Sequence, residues 1–172
     1  CSNRSVMKTS AIDGSVQVHL TGKDKNAFWR VGAALHQGQR ADQQDSVGFA
    51  PDIRYKKSTD TLVLVLCDGM GGHSMGDVAA EIVCNAICEY WNNNTETPDT
   101  ETKVIEACKV AYDALDTPSR ICHIMMGTTM VMASVEGNIV TIAHCGDSRC
   151  YLLRDGTVVC QTKDHADTHC GS

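Results

Sequence analysis

A chain of 172 residues is long enough for one domain with its own buried core and gives no reason to expect two. Hydrophobic residues at 42% and charged residues at 21%, with only 3 prolines, exclude the disordered and collagen-like classes. A net charge of -6 without any cluster of Lys and Arg argues against nucleic acid as the main partner, and no apolar run approaches the ~18 residues of a membrane span.

The 10 cysteines need a separate reading. Cys67, Cys84, Cys88 and Cys108 sit inside apolar periodic segments, where thiols act as small hydrophobes, so the expectation is a reduced, cytoplasmic protein. No CxxC pair occurs, and neither Cys84 with Cys88 nor Cys145 with Cys150 has a second half at zinc-site spacing. No signal-peptide pattern opens the chain. Cys1-Ser2 would suit a mature lipoprotein, but that is a two-residue signal.

Residues 1–26 are polar and weakly patterned, and read as a loose arm with a short strand over 16–20. FWRVGAALHQG (28–38) reads as a strand running into a glycine turn, and Thr61 to Cys67 as a buried strand; the two are expected to pair in one sheet. From Asp77, apolar residues at Ala79, Ile82, Val83, Ala86, Ile87 and Tyr90 follow helical spacing until a break over 92–100. A second helix carries Val104, Cys108, Ala111 and Leu115 on one face and is expected to end before Thr117-Pro118. After Gly127 come TTMVMASV, IVTIAHC, CYLL and TVVCQT, separated by turn residues, which predicts an antiparallel meander with a hairpin at Asp155-Gly156. Strands, two helices and strands again point to a layered domain of mixed α and β structure rather than a parallel βαβ sheet.

LVLVLCDGMGGHSMGD (62–77) runs a buried strand into a carboxylate beside several glycines. A carboxylate at Asp68 is costly unless a cation or several donors compensate it, and Gly69, Gly71 and Gly72 would let main-chain atoms approach an ion or a phosphate. A dinucleotide-binding loop fits poorly, since Ser74 stands where GxGxxG needs its third glycine and Asp68 would repel a pyrophosphate. RADQQDS (40–46) adds Arg40, a guanidinium suited to an oxyanion, and Asp45, a carboxylate suited to a hard cation. GDSR (146–149) offers Asp147 at a tight turn. Each of these residues alone would read as an ordinary loop or hairpin residue.

Taken together, RADQQDS, DGMGGHSMGD, GTT (127–129), GDSR and TKDH (162–165) stand in the order found in bacterial metal-dependent serine/threonine protein phosphatases of the PPM type, which the chain resembles from residue 28 onward. The resemblance implies an α+β fold, a four-layer αββα sandwich of two antiparallel sheets flanked by helices, with residues 27–172 as its N-terminal two thirds. It implies Mn2+ or Mg2+ as cofactor, two ions and a weaker third. Asp45 and Asp68 would be metal ligands, joined by the carbonyl of Gly69, with Asp147 on the third ion. Arg40 would bind phosphate, and Gln44 would stand behind the metal ligands.

The implied reaction is hydrolysis of phosphoserine or phosphothreonine in a protein by a hydroxide bridging two metals. The alternative is a non-catalytic, phosphatase-like domain that binds phosphoproteins or scaffolds partners. The expected molecule is a monomer. Met70 occupies the position where the eukaryotic branch has a proposed general-acid histidine, so that role has no carrier at this position. Two further family aspartates, in DG and DN segments, would lie beyond Ser172, so the chain as it stands is expected to bind metal weakly. A makeshift site from Asp164, His165, Asp167 and His169 is a minor alternative, because TKDH already matches a family segment.

Overall fold

The computed structural model describes residues 8–12, 15–23, 28–50, 61–70, 75–94 and 100–165. Strands β1 (Lys8–Ile12), β2 (Ser15–Lys23) and β3 (Phe28–His36) form an antiparallel sheet in sequence order. The segment expected as a loose arm thus carries two strands, and the short strand expected over 16–20 is the middle of β2. β3 pairs along its whole length with β2, so the expected pairing of 28–38 with the Thr61–Cys67 strand does not occur.

A second sheet is built around β5 (Thr61–Met70), which lies between β4 (Asp45–Ala50) on one side and β7 (Met130–Glu136) on the other, after the helices α1 (Gly76–Asn93) and α2 (Thr100–Cys122) and the two-residue β6 (Gly127–Thr128). β8 (Ile139–Cys145) follows β7, and β6 pairs with Gly69 and Met70 at the tip of β5. β5 therefore runs past Asp68, where the sequence suggested a turn, because β6 supplies ladder partners for two more residues.

The alternation along β5 explains its placement. Val63, Val65 and Cys67 are buried on the face toward α1, with Met132 of β7 beside them, whereas Leu66 on the other face is 42% exposed. α1 packs on β4 and β5 and also on α2. Its buried residues are Ala79, Ala80, Val83, Cys84, Ile87 and Trp91, a stripe turned from the expected one: Ile82, Ala86 and Tyr90 are only partly buried. A helix wedged between a sheet and a second helix buries more than one row, and large side chains such as Trp91 and Ile87 each contribute roughly 1.5–3 kcal/mol of burial there.

α2 contributes Val104, Ala107 and Ala111 to this core and runs through Pro118 instead of ending before it. Proline removes one helical N–H, but the Ser119 hydroxyl donates to the Leu115 carbonyl at 2.9 Å, and the Ile124 amide bonds Ser119 O at 3.1 Å, so the last turn is held by other donors.

The meander is interrupted. β7 and β8 form one hairpin across Gly137 (φ 55), while β9 (Tyr151–Arg154) and β10 (Thr157–Gln161) form another across Asp155 and Gly156, both with positive φ as a type I′ turn requires. β9 does not pair with β8; the GDSR turn between them sends the chain into a separate two-stranded sheet. The fold is α+β, a partial sandwich with helices on one face of the β4-β5-β7-β8 sheet. Among the described residues no helix is long and apolar enough to cross a membrane.

Candidate metal centre

The centre is one rung of the β4–β5 ladder. Asp45 and Asp68 are direct partners, followed by Ser46 opposite Cys67, then Val47 opposite Leu66. Since side chains alternate along a strand, Cys67 points back into the α1 core while Asp68 stands on the other face beside Asp45. In the sequence Asp45 looked like a loop residue. The structure makes it the first residue of a strand whose partner is Asp68.

The electrostatics show which charges meet. Partial burial pushes the Asp68 carboxyl above the usual carboxylate range, and the negative charge of Asp45 pushes it further. The Arg40 guanidinium opposes that rise, while a hydrogen bond with the Asp45 carboxyl and the charge of Asp147 add to it. The other three charged residues singled out from the motifs therefore all act on Asp68.

Arg40 is exposed on the loop between β3 and β4. The Gln37 side-chain amide donates to the carbonyls of Arg40 at 2.9 Å and Ala41 at 2.7 Å, and Gly38, at φ 65, makes the turn that this closure needs. Gln44 bonds Gly69 through the backbone, its carbonyl accepting from the Gly69 amide at 3.0 Å, and its side chain lies against Gly76. Gln43, which the motif reading passed over, accepts from the Asp45 amide at 3.2 Å through Oε1, and its Nε2 is buried without a partner. Its signal in the sequence is only an amide two residues before the carboxylate.

Gly69 is required by close approach. A Cβ there would stand 2.0 Å from the Gly76 carbonyl oxygen and 2.8 Å from the Gln44 carbonyl oxygen. The first turn of α1 therefore lies directly on the end of β5. Gly71, Gly72, His73 and Ser74 lie outside the described residues, as do Asp167 and His169.

Asp147 is exposed on the loop from Gly146 to Cys150, and TKDH holds that loop. The His165 amide donates to Gly146 O at 3.0 Å, Cys150 and Thr162 exchange hydrogen bonds at 3.0 Å, and Arg149 grips Asp164 through two nitrogens at 2.6 and 2.7 Å. The Arg149 guanidinium holds the Asp164 carboxyl below its usual range. His165 also stacks on His144, with ring centroids 4.5 Å apart. These contacts make TKDH a brace for the loop, so Asp164 and His165 are engaged there rather than in a makeshift metal site.

Two facing carboxylates, with the charge of Asp45 raising the proton affinity of Asp68, are a suitable donor set for a hard divalent cation, which would relieve their repulsion. Among the described residues no group of three or more His, Cys, Asp or Glu side chains closes a complete cage. The residues present thus fit a metal as part of a larger donor set.

The model for the protein phosphatase 2C family matches residues 33–171. The serine/threonine phosphatase stp of Listeria welshimeri is 34% identical over 112 residues, which cover 62% of this chain and 44% of the relative. PstP of Mycobacterium tuberculosis is 36% identical over 127 residues, which cover 73% of this chain and 23% of the relative. The chain therefore spans less than half the length of these relatives. The crystal structure of the PstP catalytic domain in complex with two manganese ions superposes with a TM-score of 0.56 at 33% identity, over 69% of this chain and 48% of that one. A bacterial serine phosphatase does so with a TM-score of 0.64 at 31% identity, over 76% of this chain and 53% of that one. With most of its length matched, and with Arg40, Asp45, Asp68 and Asp147 inside the matched region, the chain belongs to the protein phosphatase 2C family.

Proposed function

We propose that the protein is a metal-dependent phosphatase acting on phosphoserine and phosphothreonine in proteins, with Asp45, Asp68 and the Gly69 carbonyl as ligands of Mn2+ or Mg2+, Asp147 on a weaker ion, and Arg40 on the phosphate. The observation that carries this reading is the Asp45–Asp68 rung with Arg40 acting on it. Divalent ions held there supply activated water and Lewis acidity at neutral pH. The exposed Arg40 can grip phosphate oxygens through its fork of N–H donors and spread the charge that develops on them. Gln44 and Gln43 orient the rung, the first through Gly69 and the second through the Asp45 amide.

Among the described residues no thiol competes as nucleophile at this rung. Cys67, the neighbour of Asp68, is buried in the core and its thiol is pushed up to about 12 by that burial. Met70 has no proton to give, so leaving-group protonation falls to another donor. Cytoplasmic location and a monomeric state belong to this proposal; the free thiols Cys67, Cys84, Cys88, Cys108, Cys145, Cys150 and Cys160 support a reducing compartment. Nothing observed favours the alternative of a non-catalytic binding domain, which would have no need of a paired carboxylate rung.

The test is hydrolysis of a phosphothreonine peptide by the full-length protein. Activity is expected with Mn2+, and is expected to vanish in EDTA and in Asp68→Ala. Undiminished activity in either condition would overturn the metal-dependent reading.

A further inference from the structure

We propose that the hydroxyls of Thr129 and Ser148 form a clasp that couples the Asp68 rung to the Asp147 loop, making both positioning residues for cation binding on the Asp147 side. The inference rests on the metal reading above and adds to it the residues that tie its two parts together. GTT and GDSR are separate motifs in the sequence, and nothing in their spacing joins them.

Thr129 is 2% exposed, between β6 and β7. It grips Asp68 twice through the main chain of that residue: its amide donates to Asp68 O at 2.8 Å, and its Oγ1 accepts from the Asp68 amide at 3.1 Å. The same Oγ1 shares a hydrogen bond with Ser148 Oγ at 2.5 Å. One hydroxyl has a single donor and two acceptor sites, so Thr129 can serve both partners at once.

The loop meets Thr129 on both sides of Asp147. Ser148 follows Asp147 and bonds the hydroxyl; Gly146 precedes it, at φ 99, and a Cβ there would stand 2.8 Å from the Thr129 methyl. Gly146 therefore turns over that methyl, and Asp147 is the residue held between two contacts with one threonine. His165 and the Arg149–Asp164 pair brace the outer side of the loop. Displacing Asp147 relative to Asp68 requires the clasp to open.

Mn2+ titration of the full-length protein tests this, with free Mn2+ read by electron paramagnetic resonance in the absence of substrate. Asp147→Ala is expected to lose the weakest site. Ser148→Ala should keep the number of sites but weaken that site about fivefold, the effect of one lost hydrogen bond. Thr129→Val, which keeps the shape and removes the hydroxyl, should weaken it at least as much, and Thr129→Ser, which keeps the hydroxyl and loses only the methyl under Gly146, should weaken it less than Thr129→Val. Adding Ser148→Ala to Thr129→Val should change nothing further.

Wild-type titrations in both Ser148→Ala and Thr129→Val, with the weakest site lost in Asp147→Ala, would overturn the clasp and leave the metal reading intact. Unaltered Mn2+ binding in Asp68→Ala would overturn both.

Discussion

Replacing Asp45 with Asn should make the metal-free protein more stable and the metal-loaded protein less stable than wild type. The two carboxylates face each other across one rung, and the Asp68 carboxyl sits above its ordinary range because of burial and of Asp45. Like charges directly opposite in a sheet cost roughly 0.2–1 kcal/mol, and the partial exposure of Asp68 keeps the effect in that range. Asp45→Asn removes one charge and leaves an amide able to hydrogen-bond the other. A domain of this size shifts about 2–4 °C per kcal/mol, so a rise in Tm of about 0.4–4 °C is expected in EDTA at neutral pH.

Acid should erase that gain. A carboxyl whose pKa is higher in the folded state destabilises the fold when ionised, so wild type recovers the loss as pH falls through the raised pKa toward the ordinary carboxylate value. Mn2+ reverses the order at neutral pH. At a hundred times its Kd a ligand adds about 2.7 kcal/mol to the form that binds it, or about 5–10 °C here, and Asp45→Asn should lose most of that increment. Thermal melts of both proteins in EDTA and in Mn2+, near pH 7.5 and near pH 4, make the comparison. A lower Tm for Asp45→Asn in EDTA at neutral pH, or an equal Mn2+ increment in both proteins, would refute the reasoning.

Two further outcomes follow from packing. Gly69→Ala would drive a Cβ into the Gly76 and Gln44 carbonyls, both main-chain atoms that cannot rotate away, so a loss of about 3 kcal/mol or more is expected in urea unfolding; a loss below about 1 kcal/mol would show that α1 can lift off β5. Trp91→Ala removes the largest fully buried side chain among the described residues and the ring beneath the Lys103 ammonium, 4.3 Å away, and should cost about 3–5 kcal/mol by the same measurement, a near-neutral result contradicting its place in the core.

Several features were legible in the sequence because they are local. The change from helical to alternating periodicity marked α1, α2 and the strands from β7 on, and Asp155-Gly156 announced its turn, since both residues tolerate positive φ. The motif order carried the family, and with it the expectation that Arg40, Asp45, Asp68 and Asp147 belong together. The helix end departs from the expectation because Pro118 is a strong local stop that the Ser119 hydroxyl and α2 packing override.

Pairing was decided only by the tertiary structure. β3 and β5 are both apolar runs, and nothing local tells them apart as partners; β3 joins β2, while β5 joins β4 and β7 in the register that turns Val63, Val65 and Cys67 toward α1. That register sets Asp45 opposite Asp68, because a shift of one residue would turn Val63, Val65 and Cys67 outward. It also brings Thr129 and Ser148, 19 residues apart, within one hydrogen bond. The sequence by itself determined which chemistry is present; long-range burial determined which of those groups touch.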